Sequence, residues 1–122
     1  MIRTRYGSVR PYVTRDGSLI RELLHPAQHG NTGQSLAEAV VAPGATTHLH
    51  YHTRSEELYH IVAGQGLMQL GSEQFSVTVG DTVCIPPGIH HCISNTAVTP
   101  LRILCCCAPP YAHDDTVLVE VP

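Results

Sequence analysis

The chain has 122 residues and a formal net charge of −3, a length that suits one domain with its own hydrophobic core. Its seven basic residues are all arginines scattered along the chain, which argues against a nucleic-acid-binding surface. No apolar run approaches the ~18 residues of a membrane-spanning helix, and no apolar segment follows the first arginines to make a secretory leader.

Five cysteines are present, and three of them are consecutive at positions 105–107. The count is odd and adjacent cysteines pair poorly for geometric reasons, so we expect reduced thiols in a cytoplasmic protein. Neighbouring residues of a strand point to opposite faces, so these three thiols cannot converge on one ion. We expect them to pack as small apolar side chains.

The first 33 residues are predicted to form an N-terminal arm and hairpin of the same domain. Tyr12–Thr14 and Ser18–Ile20 flank the dipeptide Asp16-Gly17, which suits a type I′ turn. The second strand is expected to continue to about His25, and Pro26–Gly33 reads as a loop. This segment has no evident partner, and pairing with a second chain would remove its exposed edge. We therefore expect a homodimer.

Residues 34–122 are predicted to form a barrel of short strands, because Gly or Pro stands at nearly every break and no helical pattern is present. The expected strands are Gln34–Ala42, Ala45–His52, Glu56–Val62, Gly66–Leu70, Glu73–Val79, Thr82–Ile85, His91–Asn95, Leu101–Cys107 and Thr116–Val121.

The segment Gly44–Gly64 carries the strongest indication of chemistry. His50 and His52 stand two residues apart, so on a strand both imidazoles point to the same face. A tight turn at Thr53–Ser55 would fold the chain back into a hairpin and bring Glu57 in from the adjacent strand. Two imidazoles and a carboxylate suit a divalent transition metal such as Zn, Fe, Ni, Mn or Cu.

A second segment, Gly80–Asn95, supplies a candidate for a further ligand, His91. The two segments read G-x5-H-x-H-x4-E-x6-G and G-x5-P-x-G-x2-H-x3-N, and in this form they resemble both signature motifs of the cupin superfamily. The resemblance, to a small single-domain cupin, implies an all-β double-stranded β-helix, or jelly-roll barrel. It also implies that one divalent metal is held by His50, His52, Glu57 and His91.

The same resemblance implies dioxygenase, decarboxylase or isomerase/lyase chemistry on a small oxygenated metabolite such as a keto-acid, a sugar or a phenolic compound. A divalent ion with three neutral ligands and one anion keeps positive charge, so we expect it to bind a chelating, oxygen-rich small anion. Two alternatives stay open, because fold alone does not choose a function. One is a non-catalytic module that binds a metal or a small anion, and the other is a structural dimer partner.

Strand alternation predicts which side chains surround the metal. Tyr59 shares the face of Glu57, where its phenol either donates to a bound oxyanion or packs in the core. His48 shares the face of His50 and is the second candidate for a catalytic role. His60 and His90 are expected to face outward. The remaining walls of the pocket are predicted to come from Ile61, Met68, Ile93 and one face of Leu101–Cys107.

Overall fold

The computed structural model describes residues 1–120, which are almost entirely β-structure. Its strands are β1 (Tyr12–Val13), β2 (Leu19–Leu24), β3 (Ser35–Val41), β4 (His50–His52), β5 (Glu56–Ala63), β6 (Gln65–Leu70), β7 (Glu73–Thr78), β8 (Thr82–Ile85), β9 (His91–Asn95), β10 (Leu101–Ala108) and β11 (Thr116–Leu118). The predicted final strand reached Val121, which lies outside the described residues.

The strands form two antiparallel sheets. One has the order β1-β2-β3-β10-β5-β8 and the other the order β11-β4-β9-β6-β7. Alternate residues of β5, β9 and β10 are buried, as expected for strands with one face on a core. The expectation of an all-β double-stranded β-helix is confirmed.

The closed part of the core lies between the sheets. Its largest fully buried apolar side chains come from both sheets, namely Ile61, Met68, Ile85, Ile93, Leu101 and Ile103. Gly64, the last glycine of the first motif, has a φ of 84°, and a Cβ there would lie 2.7 Å from the Pro100 carbonyl oxygen. Only glycine fits this turn beside the core, because a side chain would clash as well as disfavour the left-handed conformation.

The predicted ligand-bearing hairpin is wrong. β4 pairs with β9 and β11, whereas β5 pairs with β10 and β8 in the other sheet. The turn at Thr53–Ser55 therefore crosses from one sheet to the facing one. A short connection between two strands looks the same in a sequence whether the strands pair or face each other, so the local pattern could not separate these cases.

The N-terminal hairpin also differs from expectation. β2 pairs with β3 of its own chain, so the segment has the partner that the sequence did not reveal. The turn is not type I′, because that turn needs positive φ at both central residues and, within residues 1–120, only glycines have it. Gly17 has φ 93°, and Gly17 N–H donates to the Thr14 carbonyl, so the loop ends in a left-handed glycine.

In the described part of the chain, helical structure is limited to one four-residue helix, α1 (Pro26–His29), and two 3₁₀ turns at Tyr6–Ser8 and His113–Asp115. The helix lies in the segment predicted to be a loop, where Pro26 at its first turn and Gly30 at its end bound it. Within residues 1–120, no helix has the length and apolar character needed to cross a bilayer.

Candidate metal centre

Four buried side chains, which we call the ligand cluster, converge between the sheets: His50, His52, Glu57 and His91. One ligand atom from each lies within 4.8 Å of the corresponding atoms of the other three. His50 and His91 are direct partners in the β4–β9 ladder, which places their rings 4.2 Å apart between centroids. Glu57 reaches the cluster from β5 of the facing sheet. The structure thus brings together all four residues that the motifs predicted as ligands.

The Nδ1 atoms of the three imidazoles form hydrogen bonds with groups outside the cluster. His50 Nδ1 donates to the His48 carbonyl at 2.8 Å, and His91 Nδ1 donates to the Ile89 carbonyl at 3.0 Å. His52 Nδ1 lies 3.1 Å from Thr116 Oγ1, whose own hydroxyl proton is directed at the Ala112 carbonyl. A neutral ring that donates from Nδ1 presents a lone pair at Nε2, the form a metal binds.

Within residues 1–120, the cluster contains one fully buried polar atom without a hydrogen-bond partner. His91 is fully buried, and its Nε2 forms no hydrogen bond within the described residues, although it lies 3.4 Å from Glu57 Oε1. His52 Nε2 makes a closer contact with the same oxygen, at 3.1 Å. An unsatisfied buried nitrogen costs free energy, which coordination would recover.

The charges in the cluster also suit a cation. Burial and the neighbouring His91 lower the pKa of His50, so this ring is neutral at pH 7. Burial raises the pKa of Glu57, but the contacts with His52 and His91 outweigh it and bring the pKa to about 2. Near neutral pH the cluster therefore offers a carboxylate and an unprotonated imidazole, as divalent metals require.

The turn between β4 and β5 is held by Asp115, a residue outside both motifs. Its carboxylate accepts hydrogen bonds from the main-chain N–H groups of Arg54 and Ser55 at 2.9 and 3.1 Å. Asp115 is 3% exposed. It orients the connection that carries His52 on one side and Glu57 on the other, so it positions two ligands without touching them.

A cavity of about 40 Å³, partly open to solvent, adjoins the ligand cluster. Sequence analysis missed much of its lining, which comes from the N-terminal hairpin and the C-terminal segment. We call Tyr12, Asp16, Ser18 and Glu22 the hairpin wall. The other lining residues are Thr14, Ile20, Ser35, Ala37, Ala39, His50, His52, Glu57, Tyr59, Cys105, Cys107, Tyr111 and Thr116.

The predicted apolar walls are only partly correct. Cys105 and Cys107 line the cavity and Cys106 faces outward, as alternation predicts, but Ile61, Met68 and Ile93 lie in the closed core instead. The strands that carry Ile61, Met68 and Ile93, namely β5, β6 and β9, continue past the end of the cavity into the closed core between the sheets. The curvature that separates cavity from core is a property of the paired sheets and is not visible in any one strand.

Tyr59 lies where alternation places it, buried on the face of Glu57 and in the lining of the cavity. Its ring meets the ring of His91 edge-on at 6.0 Å. Burial, reinforced by the charge of Glu57, raises the pKa of Tyr59 well above its usual value. The phenol therefore keeps its proton and can act as a donor inside the cavity.

The orientation predicted for His48 is wrong. Its side chain is exposed and is absent from the cavity lining, while the side chain of Thr47 is buried. Alternation fails because residues 45–49 are not a regular strand and make only an isolated bridge at Thr46. What His48 contributes to the cluster is its main-chain carbonyl, which accepts from His50 Nδ1.

Comparison with known proteins agrees with this geometry. The family model described as "Cupin domain" matches residues 37–107, so the chain belongs to the cupin family. The uncharacterized protein MJ1618 of Methanocaldococcus jannaschii is 52% identical over 98% of this chain and 96% of its own length. The oxalate-binding protein of Thermotoga maritima is 29% identical over 70% of this chain and 67% of its own length.

Among solved structures, the polyketide cyclase RemF from Streptomyces resistomycificus superposes with a TM-score of 0.82 at 21% identity. The match covers the whole of this chain and 87% of that one. At this identity the likeness establishes the shared fold. The family match begins at residue 37, so it does not include the hairpin wall.

A sequence signal for the hairpin wall does exist. Ile20 and Glu22 alternate along β2, and Asp16 and Ser18 continue the same two-residue spacing through the turn before it, so two carboxylates share this spacing with an apolar residue. A carboxylate in register with an apolar side chain on one strand face is a sign of a buried polar site. What the sequence did not provide was the strand with which this segment pairs.

Proposed function

We propose that this protein is a divalent-metal-dependent cupin that acts on a small oxygenated metabolite. The observation that carries the proposal is the convergence of three imidazoles and a carboxylate within 4.8 Å, all buried. The unpartnered Nε2 of His91 and the three outward Nδ1 contacts are what a site built around a cation would need.

The ligand set His50, His52, Glu57 and His91 fits a transition metal, which when bound would supply a Lewis acid with open positions for an oxygen-bearing ligand. Residues that do not bind the metal would supply the other functions of the site. Asp115 holds the turn between two ligands, the apolar floor around Cys105 limits water, and the Tyr59 hydroxyl donates toward a ligand oxygen in the cavity.

An enzyme is favoured over a passive binding module by the protonated phenol of Tyr59 inside the cavity. A hydrogen-bond donor at this position can stabilise charge that develops on a substrate oxygen in a transition state. Turnover against a substrate panel distinguishes dioxygenation, decarboxylation and isomerisation or elimination. The relatives include both kinds of protein, a polyketide cyclase and an oxalate-binding protein.

Elemental analysis of protein purified without a metal-affinity tag tests the metal centre. We expect close to one transition metal ion per chain after reconstitution, and a loss of at least about tenfold in metal affinity in His52→Ala. His60→Ala is the matched control, because His60 stands on β5 outside the ligand cluster and bonds to Thr82 on an exposed surface. Less than about a tenth of an ion per wild-type chain would refute the proposal.

The homodimer and the cytoplasmic location stay predictions. The small size of the chain still favours a dimer, but the N-terminal segment does not, because β2 pairs with β3 of the same chain. Light scattering at micromolar concentration tests the dimer directly, and a monomer would contradict it. Deleting Met1–Arg15 should now lower stability within one chain, since Thr4 and Tyr6 bond to Leu23 and Glu38 of that chain.

A further inference from the structure

The cavity beside the ligand cluster is lined by three carboxylates and by no lysine or arginine among the described residues. The carboxylates are Asp16 and Glu22 of the hairpin wall and Glu57 of the cluster. The carboxylate of Glu57 already contacts the imidazoles of His52 and His91. Within residues 1–120 no arginine forms an ion pair with Asp16 or Glu22, and neither carboxylate has a role in the proposed function.

Asp16 lies next to the ligand cluster. One of its oxygens accepts hydrogen bonds from Ser18 N–H and Ser18 Oγ at 2.9 and 2.6 Å, which fixes the carboxylate in place. The other oxygen, Oδ2, is 3.9 Å from Nε2 of His50. A molecule bound on this side of the cluster would therefore contact Asp16 Oδ2, which accepts no hydrogen bond from the turn.

Glu22 is 4% exposed and has one oxygen without a partner. Its Oε1 accepts a hydrogen bond from the Tyr12 hydroxyl at 2.8 Å, whereas Oε2 is buried and has no hydrogen bond within the described residues. Burial, together with the hydrogen bond to Glu22, raises the pKa of Tyr12, so this hydroxyl stays a donor. A buried oxygen with spare acceptor capacity is costly unless a ligand or water donates to it.

The strand register places Glu22 beside the floor of the cavity. Glu22 pairs with Ala37, Ala37 pairs with Cys105, and Cys105 pairs with Tyr59, so these four form one row across the inward face of the six-stranded sheet. Besides burial, the charges of Glu57, Asp16 and Glu22 raise the pKa of the Cys105 thiol. The middle of the row therefore lies in a negative field.

We propose that Asp16 and Glu22 are specificity-determining residues that select a neutral substrate rich in hydroxyl or N–H donors, and reject carboxylate and phosphate anions. This inference rests on the proposed function, since it concerns what binds beside the metal. It replaces the sequence-based expectation of a small anionic ligand. A donor group can hydrogen-bond to the unused acceptor oxygens, whereas an anion places like charge beside two carboxylates of buried residues.

Three isosteric probes separate charge from shape: oxalate carries two negative charges, oxamate one and oxamide none. Each is titrated into the cobalt-loaded full-length protein, and binding is followed by the visible absorption of the metal. Glu22→Gln removes a charge while keeping an acceptor for Tyr12. The control Glu56→Gln removes the same charge from the exposed, outward-facing neighbour of Glu57.

In Glu22→Gln we expect oxalate to bind about tenfold more tightly, oxamate about threefold more tightly, and oxamide no more tightly than in wild type. Glu56→Gln should change each affinity by less than about twofold. Equal oxalate affinity in the two variants would overturn the inference. So would an equal gain for all three probes, because that would indicate a wider cavity rather than a lost charge.

A measurement on the wild-type protein keeps the test independent of the variant's folding. The ratio of oxalate to oxamate affinity should be smaller for the cobalt-loaded protein than for cobalt ions in water, and a ratio as large or larger would refute the inference. Absence of a cobalt spectrum would instead refute the metal centre. The two failures are therefore distinguishable.

Discussion

The hairpin wall lines the same cavity as His50, His52 and Glu57 of the ligand cluster, yet the polar atoms of the two regions are satisfied in opposite ways. Each imidazole of the cluster has its Nδ1 bonded to an acceptor outside, so its orientation is set before anything binds. The wall leaves Glu22 Oε2 without a partner and Asp16 Oδ2 outside the turn that fixes Oδ1. We infer that the ligand cluster is organised to hold an ion and that the hairpin wall selects the molecule that binds beside that ion.

The two regions also differ in how they are encoded. The cluster comes from two motifs within residues 44–95, whereas the wall comes from a hairpin that the family match does not cover. A shared motif beside a separate wall is consistent with a family in which the metal ligands are common and the substrate differs. The following predictions test whether the two regions act independently.

The largest expected effect is on turnover, in Tyr59→Phe. Loss of a donor to a developing oxyanion typically lowers kcat on the order of 10²–10³-fold. The change is nearly isosteric, so metal content and Tm should stay at wild-type values. Rates on a substrate identified from a panel, with elemental analysis alongside, provide the measurement. An unchanged rate would show that Tyr59 only packs in the core, and a loss of metal would show that Tyr59 contributes to the metal site.

Asp115→Ala should damage the cluster without altering the wall. Hydrogen bonds to a charged group contribute about 1.5–3 kcal/mol each, so losing the contacts to Arg54 and Ser55 should cost about 3 kcal/mol of stability. Denaturant unfolding and metal affinity are the measurements. Asp114→Ala is the control, because Asp114 is exposed and adjacent. Equal losses in both variants would show that Asp115 has no special role.

The same residue predicts a pH dependence. Burial raises the pKa of Asp115, but the N–H groups of Ser55 and Arg54 outweigh it and lower the pKa. A depressed pKa adds stability that is present above the unfolded value of about 3.9 and is lost as the pH falls through the folded value. The difference in stability between wild type and Asp115→Ala should therefore narrow below about pH 4. A constant difference across acid titration would contradict this assignment.

Removal of the metal should lower stability through the cluster alone. Binding to the folded state adds RT ln(1+[L]/Kd), about 2.7 kcal/mol at a metal concentration of 100 Kd. Calorimetry before and after chelation measures the shift in Tm. The hairpin is held by Thr14 and Ser18 main-chain bonds and by Arg15 on the His113 carbonyl, so its amide exchange should not change. Loss of protection in β2 would show that the two regions are coupled.

The smallest effect is expected for His48→Ala. The group that orients His50 is the main-chain carbonyl of His48, which the substitution keeps, and the side chain is exposed. Metal affinity and kcat should stay within about twofold of wild type, and stability within about 0.5 kcal/mol. A tenfold loss in turnover with intact metal would restore His48 as a catalytic candidate.

Local rules predicted the cluster correctly wherever the chain is a regular strand. The two-residue period places His50 with His52, Glu57 with Tyr59, and Cys105 with Cys107, whatever the rest of the fold does. The same rule was wrong for His48, because residues 45–49 leave the regular strand geometry. Periodicity carries information only while the backbone keeps its period.

By itself, the sequence determined the all-β class, the cupin motifs and the four candidate ligands, because spacing along a strand and glycine at tight turns are local properties. Only the tertiary structure decided that His52 and Glu57 stand on facing sheets and that β2 pairs with β3. Pairing partners are chosen by the free energy of the whole sheet, over separations that no local pattern records. That choice put Asp16 and Glu22 into the lining of the cavity that adjoins the ligand cluster.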